Sequence, residues 1–204
     1  MQASAPARSA DPVLAASALA CRRGDRVLFR NVSFSLTAGE ALHLAGPNGI
    51  GKSSLIRILA GLMPPVAGTV QRRGAMALLD ERSALDPQLP LGAALSFWQA
   101  IDRIEDSAFA AAIARLGLAD LLDVPVRYLS TGQKKRAALV RVIGQNAPVW
   151  LLDEPLNGLD RSAVALFEAL VAEHCDAGGI AVIASHQPVT VAMMARFELE
   201  GFAL

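Results

Sequence analysis

Apolar and polar positions alternate with two different rhythms along this chain, and the change of rhythm divides it. Val13 to Cys21 is small and apolar and predicts a first strand, with a turn signal at Gly24-Asp25. Val27-Leu28-Phe29 follows. Val32 to Leu36 then alternates like a half-buried strand. Ala38-Gly39-Glu40 turns the chain into Ala41-Leu42-His43-Leu44-Ala45, an apolar run that reads as a buried strand. Ser54 to Ala60 is helical in pattern until Gly61 and Pro64-Pro65 stop it. Gly68 to Arg72 and Ala75 to Leu79 predict two further strands.

Asp80 to Pro90 is polar and carries two prolines, a loop. Leu91 to Leu122 has helical periodicity and no strand candidate. Ala94, Leu95, Trp98 and Ile101 form one face; Phe109, Ile113 and Leu116 form another. A block of helices within an α/β chain predicts an inserted helical subdomain over about residues 86–145. Strand and helix alternate again from Pro148: a strand at Val149 to Leu152, an amphipathic helix over Arg161 to Ala177, and a strand from Gly179 to Ala184. A helix is expected over Gln187 to Met194, and a short strand or hairpin over Phe197 to Leu204. The fold class is therefore α/β, with an N-terminal antiparallel β section. Residues 1–12, rich in Ala, Ser and Pro, predict a disordered leader before one domain at 13–204; lacking an apolar core, they do not read as a signal peptide.

Composition narrows this only slightly. The chain has 204 residues, is 53% hydrophobic and carries no net formal charge, so bulk charge gives no reason to expect nucleic-acid binding. Cys21 and Cys175 lie far apart without C-x-x-C spacing and read as reduced thiols. No apolar run approaches the ~18–20 residues of a membrane helix, so any membrane role is expected to come through partners.

Candidate chemistry changes the picture more. Between the strand ending at Ala45 and the helix from Ser54 lies Gly46-Pro47-Asn48-Gly49-Ile50-Gly51-Lys52-Ser53, with the G-x-x-x-x-G-K-S spacing of a phosphate-binding loop. Its glycines let backbone N–H groups curl around a phosphate, and the helix N-terminus adds free donors. In that role Lys52 reaches the β- and γ-phosphates and the Ser53 hydroxyl binds Mg²⁺. Leu151-Leu152-Asp153-Glu154 sets two carboxylates at the end of a buried strand, where open α/β sheets bind ligands. Asp153 is suited to Mg²⁺, and Glu154 to polarising a water as general base. Ser130 is a good N-cap, and Gly132 permits close backbone approach at a second helix start.

Taken together, these segments resemble the nucleotide-binding subunits of ABC transporters. Leu129-Ser130-Thr131-Gly132-Gln133 is similar to that family's LSGGQ signature, with Thr131 replacing its first Gly. Pro155 to Asp160 resembles the segment ending in the D-loop, and Ile183-Ala184-Ser185-His186 the switch-histidine segment. The resemblance implies a P-loop NTPase fold of ABC type with a mixed sheet, ATP as nucleotide, and His186 on the γ-phosphate. Ser54 and Asp160 join the expected nucleotide site. Two copies would pair head to tail, with ATP between the loop of one and Ser130, Gly132 and Gln133 of the other. At two positions the chain departs from the family. Glu81 stands where a Gln usually touches Mg²⁺ and the attacking water; it is either a metal ligand or a solvated acid whose place Gln88 takes. Arg23 stands near the usual aromatic platform for the base; it either stacks on the base or is solvated.

Leu19 to Gly24, Arg26 to Phe29, Tyr128 to Arg136, Leu151 to Asp160 and Ser185 to Pro188 resemble one branch, the ATP-binding subunits of the cytochrome c maturation heme exporter. That implies a peripheral ATPase on the cytoplasmic face of a bacterial inner membrane, bound to integral membrane heme-exporter subunits. Neither His43 nor His174 is expected to ligate heme. An ATPase for another small-molecule or lipid transporter is the alternative; a non-transport ATPase of this type fits less well.

Overall fold

The computed structural model describes residues 11–81 and 83–203. Most of the expected leader lies outside the described residues. Strands β1 (Val13–Arg23), β2 (Arg26–Thr37) and β4 (Ala67–Arg73) form an antiparallel sheet in the order β2-β1-β4. Strands β3 (Ala41–Ala45), β5 (Met76–Leu79), β6 (Val149–Asp153), β7 (Ile180–Ala184) and β8 (Ala195–Glu198) form a parallel sheet in the order β5-β6-β7-β3-β8. The helices are α1 (Lys52–Leu59), α2 (Leu91–Asp102), α3 (Asp106–Arg115), α4 (Thr131–Gly144) and α5 (Arg161–Asp176). Between β5 and β6 the described chain is helix, 3-10 turn and loop.

The inner parallel strands β3, β6 and β7 are buried, mostly apolar runs because both their faces are covered, whereas edge strand β8 is largely exposed. Alternate residues enter different cores. Leu151 and Val182 pack with α1 and the antiparallel sheet, beside Leu14, Phe29 and Leu55. Leu152 and Ile183 pack with the helical block and α5, beside Leu95, Leu139 and Phe167. The C-terminal ends of β3, β6 and β7 thus lie between the two cores.

Several elements depart from the sequence expectation. The two early runs are one strand, β2, which passes through Asn31 in a left-handed conformation (φ 57°) instead of breaking there. Ile101 does not share the buried face of Ala94 and Leu95: it is 54% exposed, in the last turn before α2 ends at a left-handed Arg103. Gln187 to Met194 is not a helix. Pro188 supplies no N–H and turns its predecessor from the helical region. The N–H of Thr190 is taken by Glu168 Oε1, and Val191 to Met194 closes as a turn. The final strand starts at Ala195 and runs parallel to β3, so it makes no hairpin; a 3-10 turn (Leu199–Phe202) follows.

Candidate functional site

The loop after β3 turns through Gly46, Gly49 and Gly51 at φ 141°, 80° and 117°, values that favour glycine. A Cβ on Gly51 would lie 3.1 Å from the Phe29 ring, so this glycine also lets the loop sit against β2. Lys52 opens α1 and is buried. Its Nζ donates to the carbonyls of Gly46 (2.8 Å) and Pro47 (3.2 Å) and lies 3.4 Å from Glu154 Oε1. The ammonium therefore lies over the loop it belongs to, beside the carboxylate at the end of β6.

Ser53, next on α1, donates its hydroxyl to Asp153 Oδ1 at 3.0 Å. Asp153 is only 1% exposed. Burial raises its carboxyl pKa; the Ser53 hydroxyl opposes this, and Asp80, Glu154 and Glu81 add to it. A buried carboxylate and a hydroxyl, close to further acids, make a hard-oxygen donor set of the kind Mg²⁺ takes. Glu154 adopts φ 46°, a left-handed strain of about 1–3 kcal/mol for a non-glycine residue. Its N–H donates to the Ala184 carbonyl at 2.8 Å. Its Oε2 lies 2.9 Å from His186 Nδ1, so the strand ends of β6 and β7 are joined at this pair.

Lys52, Ser53 and Glu154 face a cavity of about 520 Å³. Asn48, Gly49, Gly51, Lys52, Ser53, Ser54, Glu81 and Glu154 line it, and so do Arg23, Arg26, Leu28 and Asn157. Arg23 and Glu81 both stand at the cavity wall. Gln88 does not line it and instead accepts a hydrogen bond from Arg127. Gly46 and Pro47 line an adjoining cavity with His186. Ile50 packs back on Gly46, where a Cβ would come within 3.2 Å of its Cγ2.

Ser130, Gly132, Gln133 and Asp160 do not line the cavity. Ser130 caps α4 by accepting from Gln133 N (3.2 Å), while Gln133 Oε1 accepts from Ser130 N (2.8 Å). Gly132 lies so close to the loop before α5 that a Cβ would sit 2.4 Å from the Gly158 carbonyl oxygen. The close approach expected at Gly132 is thus met inside this chain. Asp160 caps α5, and the hydrogen bonds from Ser162 and Ala163 hold its pKa down.

Sequence reasoning missed Arg26, Asn157 and Lys135. The two-residue turn Gly24-Asp25 sets Arg23 and Arg26 opposite each other across the β1–β2 hairpin, a signal that the spacing did contain. Lys135 carried none. It is buried in α4, donates to the Glu81 carbonyl at 3.1 Å, and burial lowers its pKa against the raising effect of Asp153 and other acids. His174 stacks on Trp150 at 3.9 Å, and both cysteines are free and buried.

Residues 29–157 match the family described as ABC transporter. The cytochrome c biogenesis ATP-binding export protein CcmA of Novosphingobium aromaticivorans is 59% identical over 93% of this chain and 96% of its own length. The protein of the same name from Rhizobium meliloti is 42% identical over 93% and 98%. Among solved structures, a putative ABC transporter ATP-binding protein from Pyrococcus furiosus superposes with a TM-score of 0.82 at 19% identity, covering 94% of this chain and 100% of that one. A putative metal-chelate type ABC transporter in an inward-facing conformation gives 0.77 at 21% identity, over 94% and 81%. The chain belongs to the ABC transporter family of ATP-binding subunits, within the group of cytochrome c biogenesis ATP-binding export proteins.

Proposed function

We propose that this chain is the ATP-hydrolysing subunit of a heme exporter in cytochrome c maturation, seated on integral membrane partners at the cytoplasmic face of a bacterial inner membrane. The observation that carries the hydrolytic part is the Lys52–Glu154–His186 chain at 3.4 and 2.9 Å over the glycine-rich loop. Glu154 is held between two groups that carry or can accept a proton, which aims its carboxylate into the cavity as a general base for water. Lys52 exchanges its loop carbonyls for phosphate oxygens, and the loop N–H groups and the α1 N-terminus add donors. Ser53 and Asp153, with Glu81 from the facing loop, would hold Mg²⁺, which would supply charge neutralisation for phosphoryl transfer. His186 contacts the γ-phosphate from the Glu154 side.

Ser130, Gly132, Gln133 and Asp160 stand outside this cavity, which is consistent with the role the family resemblance implies for them, on the nucleotide of a second copy placed head to tail. The helical segment at about 86–145 carries the signature and acts as a subdomain. At the base end, Arg23 and Arg26 oppose like charges, an arrangement that costs stability unless an acceptor or anion lies between them. A nucleotide supplies one.

The heme-specific part rests on the relatives' names and on a chain with no helix, among those described, long and apolar enough to cross a membrane. Deletion of the gene tests it together with co-purification of the neighbouring membrane subunits. Loss of c-type cytochromes with the subunits captured is the expected result. Normal c-type cytochromes in the deletion strain would refute heme export and leave a transport ATPase of other cargo.

A further inference from the structure

β3 carries an imidazole in the middle of an otherwise apolar buried strand. His43 is 4% exposed and lies between β7 and β8, with Ile183 and Arg196 as its register partners. An apolar residue would fill such a position without the cost of burying a polar ring. The reason for a polar one lies at the end of the neighbouring strand. The β3–β7 ladder runs as far as Leu44 and Ala184, followed by one last bond from Ser185 N to the Leu44 carbonyl. There the strands part, β3 into the glycine-rich loop and β7 towards His186. The Ser185 carbonyl is left beyond the ladder in a fully buried residue. His43 Nε2 reaches it at 3.1 Å. A carbonyl can only accept, so Nε2 carries the proton.

The bond sits one peptide from the reacting groups. His186 Nδ1 is 2.9 Å from Glu154 Oε2. Ser185 Oγ also accepts from Gln187 N at 2.9 Å, and Gln187 reaches Asn157 in the cavity wall at 3.3 Å. Burial and Arg196 favour the neutral ring, against the Ser185 carbonyl, Glu198 and Glu154. A neutral ring has a single N–H, and this bond uses it.

We propose that His43 is a positioning residue for hydrolysis: by donating to the Ser185 carbonyl it fixes the peptide that aims His186 at Glu154 and the γ-phosphate. The proposal rests on the catalytic reading of His186, and the two are tested separately. His43→Gln and His43→Met have nearly the same shape, and only Gln keeps the donor. ATP hydrolysis by the full chain should fall about tenfold in kcat for His43→Met, with KM for ATP within about twofold, while His43→Gln stays within about threefold of the parent. In a His186→Ala background, His43→Met should cause no further loss, because the residue it positions is gone. Equal losses in the Gln and Met variants, or multiplicative losses in the double variant, would overturn the proposal. Parent-like hydrolysis by His186→Ala would remove the reading beneath it. Should the Met variant fail to fold, nitrogen NMR of the parent decides: a proton on Nε2 supports the bond, and a proton on Nδ1 of neutral His43 overturns it.

Discussion

Glu154 divides its two oxygens between Lys52 and His186 and holds a left-handed backbone. Replacing it with Gln keeps the shape and removes the base. Hydrolysis should drop about 10²–10⁴-fold with ATP still bound, measured as steady-state phosphate release beside equilibrium nucleotide binding. Asp153 shows the opposite balance between stability and activity. Its folded carboxyl holds a proton to higher pH than the unfolded one, so its buried charge is a penalty that is absent below the unfolded pKa and grows as pH rises through the folded value. Asp153→Asn should therefore abolish hydrolysis yet raise stability at pH 7 in melts without Mg²⁺. The gain should shrink towards pH 4. The base end is tested by rates: no described residue lining the cavity is aromatic, and Arg23 with Arg26 can donate to a guanine carbonyl. GTP should be hydrolysed at a rate comparable to ATP, and strict ATP preference would argue against guanidinium recognition. What the sequence showed at this level was whatever lies contiguous on one loop or strand end. Lys135 and His43 were illegible because each acts through a backbone carbonyl distant in sequence, and a helix or strand pattern gives no sign of the carbonyl it will meet.

Two helix starts carry the elements that leave their own cavity. Ser130 and Gln133 close a reciprocal cap on α4, and Gly132 is packed on Gly158 in the loop leading to α5. The Ser130–Gln133 segment is thus in contact with the segment after Glu154. Ser130→Ala should cost about 1 kcal/mol of stability through the lost cap. It should also impair hydrolysis while ATP binding to the monomer stays largely intact, which calorimetric titration at low protein concentration would show. Strands and long amphipathic helices were readable from periodicity because their apolar faces meet the two cores. The errors fell where local pattern competes with outside partners. Gln187 to Met194 had helical composition, but Pro188 and the capture of the Thr190 N–H by Glu168 prevent the helix. Ile101 kept the helical phase of Ala94 but lies in the last turn of α2, beyond the reach of the core.

For the molecule as a whole, the parallel sheet separates two cores, and its strand ends present the glycine-rich loop and Glu154 to one cavity, with Asp153 buried behind it and His186 lining the cavity alongside. The signature residues face elsewhere. This division is what a half-site requires, and it was legible only through the resemblance, since spacing within one chain cannot show which groups a second copy supplies. Sedimentation of the Glu154→Gln variant at saturating ATP and Mg²⁺ tests it most directly. The expected species has twice the 21.4 kDa chain mass and reverts to monomer when nucleotide is removed. A variant that binds ATP fully yet stays at the mass of one chain would contradict the head-to-tail site.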